Sequence, residues 1–236
     1  PPCVRKFGQR GWSRTQEVIG LMLELTRTKR KPDLVIFYDG SIDSFLPYES
    51  DEVDAHLGFP TMKKKFDAWR AKEEAGFEYF RNTNTYAALQ LLGNIVEAGN
   101  GDELPHAVSA EQAALMAERA WDNYSKNMEY VNMLAKPHGF NYIYFWEPWL
   151  LTARKPLSAT EQRMKAREER GNPGSSEVMR AAYELARAAR RPSLVYLGDL
   201  FEDNSETLFA DPTHLNTEGN RIVAERIFQM VQQLSP

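Results

Sequence analysis

The sequence predicts an α/β sandwich built on a mostly parallel sheet. Three short runs are rich in β-branched and aromatic residues, and their apolar character is continuous, as is typical of strands buried on both faces. Helical patterns separate the runs, so consecutive strands can lie parallel with a helix crossing between them. The three runs are residues 34–38, 142–146 and 194–197.

The remaining elements are predicted in order along the chain. Residues 3–7 are a weak candidate for a first strand. The clearest helix covers residues 109–135, where apolar residues recur at spacings of three and four. Three more helical patterns cover residues 13–27, 176–190 and 217–234.

The stretch between residues 44 and 141 is too long for a single crossover. We interpret it as a helical insertion over the carboxyl edge of the sheet, where α/β proteins bind their ligands. Residues 155–176 are charged and contain Gly and Pro, which predicts a surface loop with a helical first part. Residues 1–236 are expected to form one domain. The insertion holds an aromatic group and a polar loop: Phe66, Trp69, Phe77, Tyr79, Phe80 and residues 99–102.

Composition is that of an ordinary globular chain. Hydrophobic residues make up 42% of the 236 residues and charged residues 26%, with a net charge of −4. Such a charge does not favour nucleic acid as a partner, and the apolar runs are too short to span a membrane. The single cysteine, Cys3, excludes an internal disulfide and a cysteine-only metal cluster, and we expect no cofactor. The chain opens without Met, so its true beginning is expected to lie elsewhere.

The most informative segment runs from Asp211 through His214 to Asn220. An Asp three residues before a His, in a loop over a sheet edge, can orient the imidazole and balance its charge. That pair is the base-and-orienter half of a nucleophilic triad. The alternative is a turn with an exposed His before a capped helix, and residue types alone leave both open.

Two further turns share the predicted position of this segment. Residues 7–13 include Gly11 and Trp12, and residues 39–44 include Gly40. Each follows a predicted strand and leads towards a helix. Backbone N–H groups at such turns can hold a developing oxyanion.

In this order, the three segments resemble the second, third and fifth sequence blocks of SGNH (GDSL-type) hydrolases. The resemblance implies a flavodoxin-like three-layer sandwich acting as an esterase, lipase, carbohydrate deacetylase or acyltransferase. The substrate would be a small-molecule, glycan or lipid ester, and a bacterial envelope or extracytoplasmic location would fit. The family pattern makes His214 the general base, Asp211 its partner and Gly11 an oxyanion donor. The expected substrate pocket consists of Trp12, Gly40, Ser41 and Asp43.

Two departures from the family pattern matter. The nucleophilic serine should follow a first central strand upstream of Gly11, yet only ten residues precede Gly11 and none is serine. Ile42 stands where the family has an oxyanion-donating Asn, a loss that typically costs about 10²–10³ in rate. We therefore expect this chain alone to be inactive or strongly impaired, with Ser13 and Ser41 as the first serines to test. Either an upstream segment supplies the strand and nucleophile, or the chain is an inactive binding or assembly domain.

The same residues support a minor alternative. Asp39, Ser41 and Asp43 also resemble the magnesium site of von Willebrand A-type adhesion domains, because a carboxylate and a hydroxyl there suit Mg²⁺. Glu147, at the end of a predicted strand, is either a pocket residue or an ordinary strand-end residue. The remaining histidines have no spaced partners and are interpreted as surface or loop residues: His56, His106 and His138.

Overall fold

Three parallel strands form the sheet in the computed structural model, which describes residues 3–28, 31–50, 52–74 and 107–234. The strand order is β1-β2-β3. This order places β2 at the centre, and the register aligns Asp39 with Trp146 at the carboxyl end of β1 and β2. The three predicted strands and the α/β class are confirmed. The strands are β1 (Leu34–Asp39), β2 (Asn141–Trp146) and β3 (Leu194–Tyr196).

The described residues also form seven helices, and the four predicted helices are present with ends shifted by a few residues. The longest begins after a capping box, in which Ser109 and Gln112 each accept a backbone N–H from the other. It ends at Gly139, whose φ of 68° lies in the left-handed region. The helices are α1 (Arg14–Arg27), α2 (Ser41–Ser50), α3 (Phe59–Glu74), α4 (Ala110–His138), α5 (Ala159–Gly171), α6 (Pro173–Ala188) and α7 (Thr217–Leu234).

Aromatic rings from the central strand fill the core. Trp146 at the end of β2 meets Tyr124 of α4 and Tyr183 of α6, with ring centroids 4.9 and 5.5 Å apart. All three side chains are almost completely buried. The packing of α4 and α6 against the middle strand therefore fixes the position of the carboxyl end of β2, where the candidate site begins.

One sequence prediction about a segment is wrong and another is only partly confirmed. Residues 3–7 form no strand, and Val4 is 85% exposed, because β1 does not pair with this segment and an unpaired strand has no partner for its backbone. In residues 155–176 the predicted helical first part is confirmed by α5, but the rest is not a loop, because α6 begins at Pro173. Lys155 and Glu161 are buried within that stretch.

The outer edge of β1 carries no strand among the described residues. No described residue pairs in a ladder with its backbone N–H and C=O groups on that side, which makes the edge a template for another strand. Two apolar side chains of the same strand remain substantially exposed, Ile36 at 44% and Tyr38 at 36%. A first central strand, which the resemblance to SGNH hydrolases implies, is not present among the described residues.

The predicted insertion is helical where the structure describes it. It contains α3 and α4, while α2 begins at Ser41, slightly before the predicted boundary. None of the helices among the described residues combines the length and apolar run needed to cross a membrane. Several residues singled out in the insertion lie outside the described residues: Phe77, Tyr79, Phe80, 99–102 and His106.

Candidate active site

Loops after the three strands meet at the carboxyl edge of the sheet. Gly40 follows β1, Glu147 follows β2, and the segment containing Asp211 and His214 lies beyond β3. The second and third loops are joined directly, because the backbone N–H of Leu150 donates to the carbonyl of Pro212 at 3.1 Å. This is the edge at which open α/β sheets place their ligands.

Asp211 and His214 form a hydrogen-bonded pair. The Oδ2 atom of Asp211 lies 2.8 Å from Nδ1 of His214, and Oδ1 accepts the backbone N–H groups of Thr213 and His214 at 2.8 and 2.7 Å. Partial burial opposes ionisation of Asp211, yet these donors outweigh it and lower its pKa. A carboxylate beside Nδ1 keeps the proton there, which leaves the Nε2 lone pair free.

The imidazole of His214 is presented outward. Its side chain is 78% exposed, although the loop that carries it is held by backbone contacts. The N–H of Ala210 donates to the carbonyl of His214 at 2.8 Å, and Phe209 and Leu215 form an antiparallel bridge. An oriented imidazole with a free nitrogen facing outward can take a proton from an incoming hydroxyl.

The two predicted turn glycines have backbone conformations that favour glycine. The φ angles are 78° at Gly11 and 125° at Gly40. A Cβ at Gly40 would lie 2.7 Å from the indole ring of Trp146, and one at Gly11 would lie 2.8 Å from Cε1 of His56. The absence of a Cβ therefore lets Trp146 pack closely against Gly40 and His56 pack closely against Gly11.

The turns that begin α1 and α2 are linked by a buried carboxylate. Oδ1 of Asp43 accepts the backbone N–H of Arg14 at 2.9 Å, which joins the Gly11 turn to the Gly40 turn. Asp43 and Ser41 are 2% and 4% exposed, so both lie beneath the surface of the predicted pocket. Trp12, two residues before α1, lies with its ring against Gly20 of that helix.

Arg14 was missed at the sequence level, where it looks like an ordinary helix residue. It is completely buried, and its guanidinium lies 4.3 Å from the ring centroid of Phe37 and 4.5 Å from that of Tyr124. Its Nη2 atom pairs with both carboxylate oxygens of Asp39, at 2.9 and 2.8 Å. Burial opposes the charged form, but the carboxylates around it, Asp39 first, raise the pKa of Arg14 overall. This buried cation holds the end of β1 against α1 and α4.

Glu147 contacts the predicted pocket from below. Its Oε1 atom accepts the backbone N–H of Ser41 at 2.9 Å and also the Ser41 hydroxyl. Burial and the charge of Asp39 raise the pKa of Glu147 to about 7, while Ser41 and His214 act in the opposite direction. The hydrogen bonds with Ser41 tie the end of β2 to the start of α2.

Replacing Glu147 by Gln should stabilise the protein above neutral pH. The folded-state pKa of about 7 exceeds the usual value of 4.5, so the folded chain holds a proton that the unfolded chain releases. Stability from this group therefore falls as pH rises from 4.5 through 7. Gln keeps an acceptor for Ser41 without the charge, so we expect a gain of about 2–3 kcal/mol at pH ~8 that shrinks to under ~1 kcal/mol at pH ~5. Urea denaturation at both pH values measures the difference, and parallel pH profiles would contradict the assignment.

Neither serine singled out in the sequence is aligned with His214. The hydroxyl of Ser13 donates to Gln16 at 2.6 Å, and that of Ser41 donates to Glu147. Both residues are almost completely buried. The arrangement provides a base and its orienter, but within the part of the chain that the structure describes no serine is hydrogen-bonded to them.

The contacts of Asp39, Ser41 and Asp43 do not favour the magnesium alternative. Asp39 is neutralised by the guanidinium of Arg14, Asp43 accepts a backbone N–H, and Ser41 donates to Glu147. No cluster of three or more His, Cys, Asp or Glu among the described residues is placed to hold a metal ion.

A cavity of about 430 Å³ lies beside the Gly11 turn. His56, interpreted from the sequence as a surface residue, lines it and contacts the carbonyl of Leu57 through Nδ1 at 2.6 Å. His138 lies in the last turn of α4 and takes no part in the site. The lining residues are Gln16, Glu52, Asp54, Ala55, His56 and Phe59.

Comparison with known proteins gives no relative: no family model, curated protein or solved structure matches this chain significantly.

Proposed function

We propose that this chain carries the base and oxyanion side of an SGNH-type ester hydrolase or acyltransferase. The observation that carries the proposal is the Asp211–His214 pair, 2.8 Å apart, with an exposed imidazole at the carboxyl edge of a parallel sheet. The glycine turns at Gly11 and Gly40 add backbone N–H groups from the same edge. The finer fold we propose is the flavodoxin-like sandwich, of which β1, β2 and β3 form one part.

The nucleophile in this proposal is a serine that follows a strand paired with the free edge of β1. A parallel strand at that edge would end beside Asp39, so its following turn would enter the site from the carboxyl edge. It would also cover the exposed side chains of Ile36 and Tyr38. A segment preceding residue 3 could supply this strand, with a Gly-x-Ser turn after it.

The chemistry then follows the usual course of acyl transfer. The serine hydroxyl attacks the ester carbonyl carbon while its proton passes to Nε2 of His214. Asp211 stabilises the resulting imidazolium, and backbone N–H groups hold the oxyanion. Collapse of the tetrahedral intermediate breaks the ester C–O bond, and His214 returns the proton to the departing alcohol. Water or an acceptor alcohol then takes the acyl group by the same steps in reverse.

The test compares the 236-residue chain with the same chain extended at its amino end by a strand and a Gly-x-Ser turn. We expect the extended chain to hydrolyse short acyl esters and to react covalently with a fluorophosphonate probe, and the shorter chain to do neither. Replacing the added serine by Ala is the matched control. An extended chain that folds and binds the probe no better than this control would contradict the proposal.

The second candidate is a non-catalytic binding domain. It is favoured by one observation: Ser13 and Ser41 are buried, and their hydroxyls donate to Gln16 and Glu147 instead of to His214. Ile42, which offers no side-chain donor, agrees with it. A folded, extended chain without probe labelling would select this function.

A further inference from the structure

A buried ion pair lies directly beneath the loop that carries the candidate base. The Nζ atom of Lys155 is 2.6 Å from Oε2 of Glu161, and both side chains are completely inaccessible to solvent. Lys155 also donates to the backbone carbonyl of Glu206 at 2.7 Å. The pair therefore joins the start of α5 to the segment that precedes Asp211.

Glu161 receives donors on both of its carboxylate oxygens. Oε1 accepts the backbone N–H of Leu208 at 2.9 Å and, more weakly, that of Phe209 at 3.4 Å. Oε2 accepts the N–H of Ser158 at 3.0 Å in addition to Lys155. Burial opposes ionisation of Glu161, yet Lys155 and these N–H groups lower its pKa overall. A carboxylate with this many charge-assisted bonds holds its neighbours in one geometry.

A short hairpin connects Leu208, which is bonded to Glu161, with the candidate base His214. The carbonyl of Leu208 accepts the N–H of Asn216 at 2.8 Å, and the side chain of Asn216 donates to the carbonyl of Thr207 at 2.6 Å. The Phe209–Leu215 bridge closes the hairpin around Asp211 and His214. The base of the hairpin is therefore fixed by Glu161, while its tip is exposed to solvent.

We propose that Glu161 and Lys155 are positioning residues for the Asp211–His214 pair: they hold the base of its hairpin so that the imidazole is oriented at the sheet edge. An effect of Glu161 and Lys155 on catalysis rests on the proposed function, whereas their positioning of the hairpin does not. A buried ion pair is weak evidence for stability alone, because its desolvation offsets much of its attraction. The direct bonds to the hairpin backbone indicate a geometric role.

The test is Glu161→Gln in the 236-residue chain, read by NMR. We expect the share of His214 in the Nδ1–H tautomer to fall, as seen in the ¹⁵N shifts of its imidazole, and amide exchange at Leu208 and His214 to rise by about tenfold or more. Glu169→Gln is the matched control, because it makes the same change in the same helix at a partly exposed pair with Arg180. It should leave both readouts unchanged.

The outcomes separate positioning from general stability and from function. A Glu161→Gln chain that is less stable overall but keeps the His214 tautomer and local exchange would overturn the positioning role. If that variant does not fold, the Lys155→Met/Glu161→Gln pair, which leaves no uncompensated charge, is measured in the same way and judged by the same criterion. Asp211→Asn should shift the tautomer without changing exchange at Leu208. If the extended chain is inactive but the His214 tautomer still changes in Glu161→Gln, the proposed function is contradicted. The positioning role of Glu161 is supported in that case.

Discussion

Replacing Arg14 by Met should destabilise the protein by about 3–5 kcal/mol near neutral pH, the usual cost of removing one partner of a buried ion pair. Met fills much of the space against the rings of Phe37 and Tyr124, so lost packing is a minor part of the effect. The main cost is that Asp39, which is 7% exposed, loses the cation that lies beside it. Chemical denaturation measures the change in the free energy of unfolding.

The loss should shrink as pH falls, and this distinguishes charge from packing. Without Arg14, acid can neutralise the buried carboxyls near it, among them Asp43, whose pKa burial and Asp39 already raise to about 7. Arg187→Met is the matched control, since Arg187 also pairs with a carboxylate, Asp199, and lies 5.2 Å from the ring centroid of Tyr196. That pair is in partial contact with water, so its removal should cost less. Equal losses in the two variants, or a loss independent of pH, would contradict the buried-charge account.

In the chain extended by a strand and Gly-x-Ser, His214→Ala should lower kcat by about 10³–10⁴ with little change in KM. The imidazole acts on the proton only as the transition state forms, so its removal leaves ground-state binding largely intact. Asp211→Asn should have a large effect of the same kind, because the amide no longer favours the Nδ1–H tautomer. Steady-state kinetics on a short acyl ester measures both.

His138→Ala provides the control, since His138 lies at the end of α4, away from the three loops of the site. Its kinetic constants should equal those of the unchanged extended chain. A His214→Ala variant that retains full turnover would assign the base to another group and remove the active-site interpretation. Equal losses in both histidine variants would indicate a general defect in folding.

Local sequence patterns were sufficient for the strands, most helix ends and the candidate base. The three strands are recognisable because each is a continuous apolar run, and β2, the most buried, is also the most aromatic. The long helix α4 is delimited by Ser109 and Gly139, whose capping roles depend only on neighbours within a turn. Asp211 and His214 are three residues apart, so a turn can bring them together, although only the tertiary structure shows that Glu161 holds the base of their hairpin.

The sequence was misleading where local pattern and environment disagree. Residues 3–7 have the composition of a strand but no neighbour to pair with, and strand formation requires a partner. Residues 155–176 are charged and were interpreted as surface, yet Lys155 and Glu161 are buried because each neutralises the other. A charged sequence predicts exposure because burying a charge is costly. The ion pair that offsets this cost is visible only in the tertiary structure.

The sequence by itself therefore determined the α/β class, the three strands and the candidate pair Asp211–His214. Only the tertiary structure decided that Arg14 is the buried cation that holds β1, since its contacts with Asp39 and Tyr124 join residues 25 and 110 positions apart. The same holds for Glu147 beneath Ser41, 106 positions away. Such contacts leave no periodic signal in the sequence, because they depend on the direction in which separate elements cross and not on spacing along one of them.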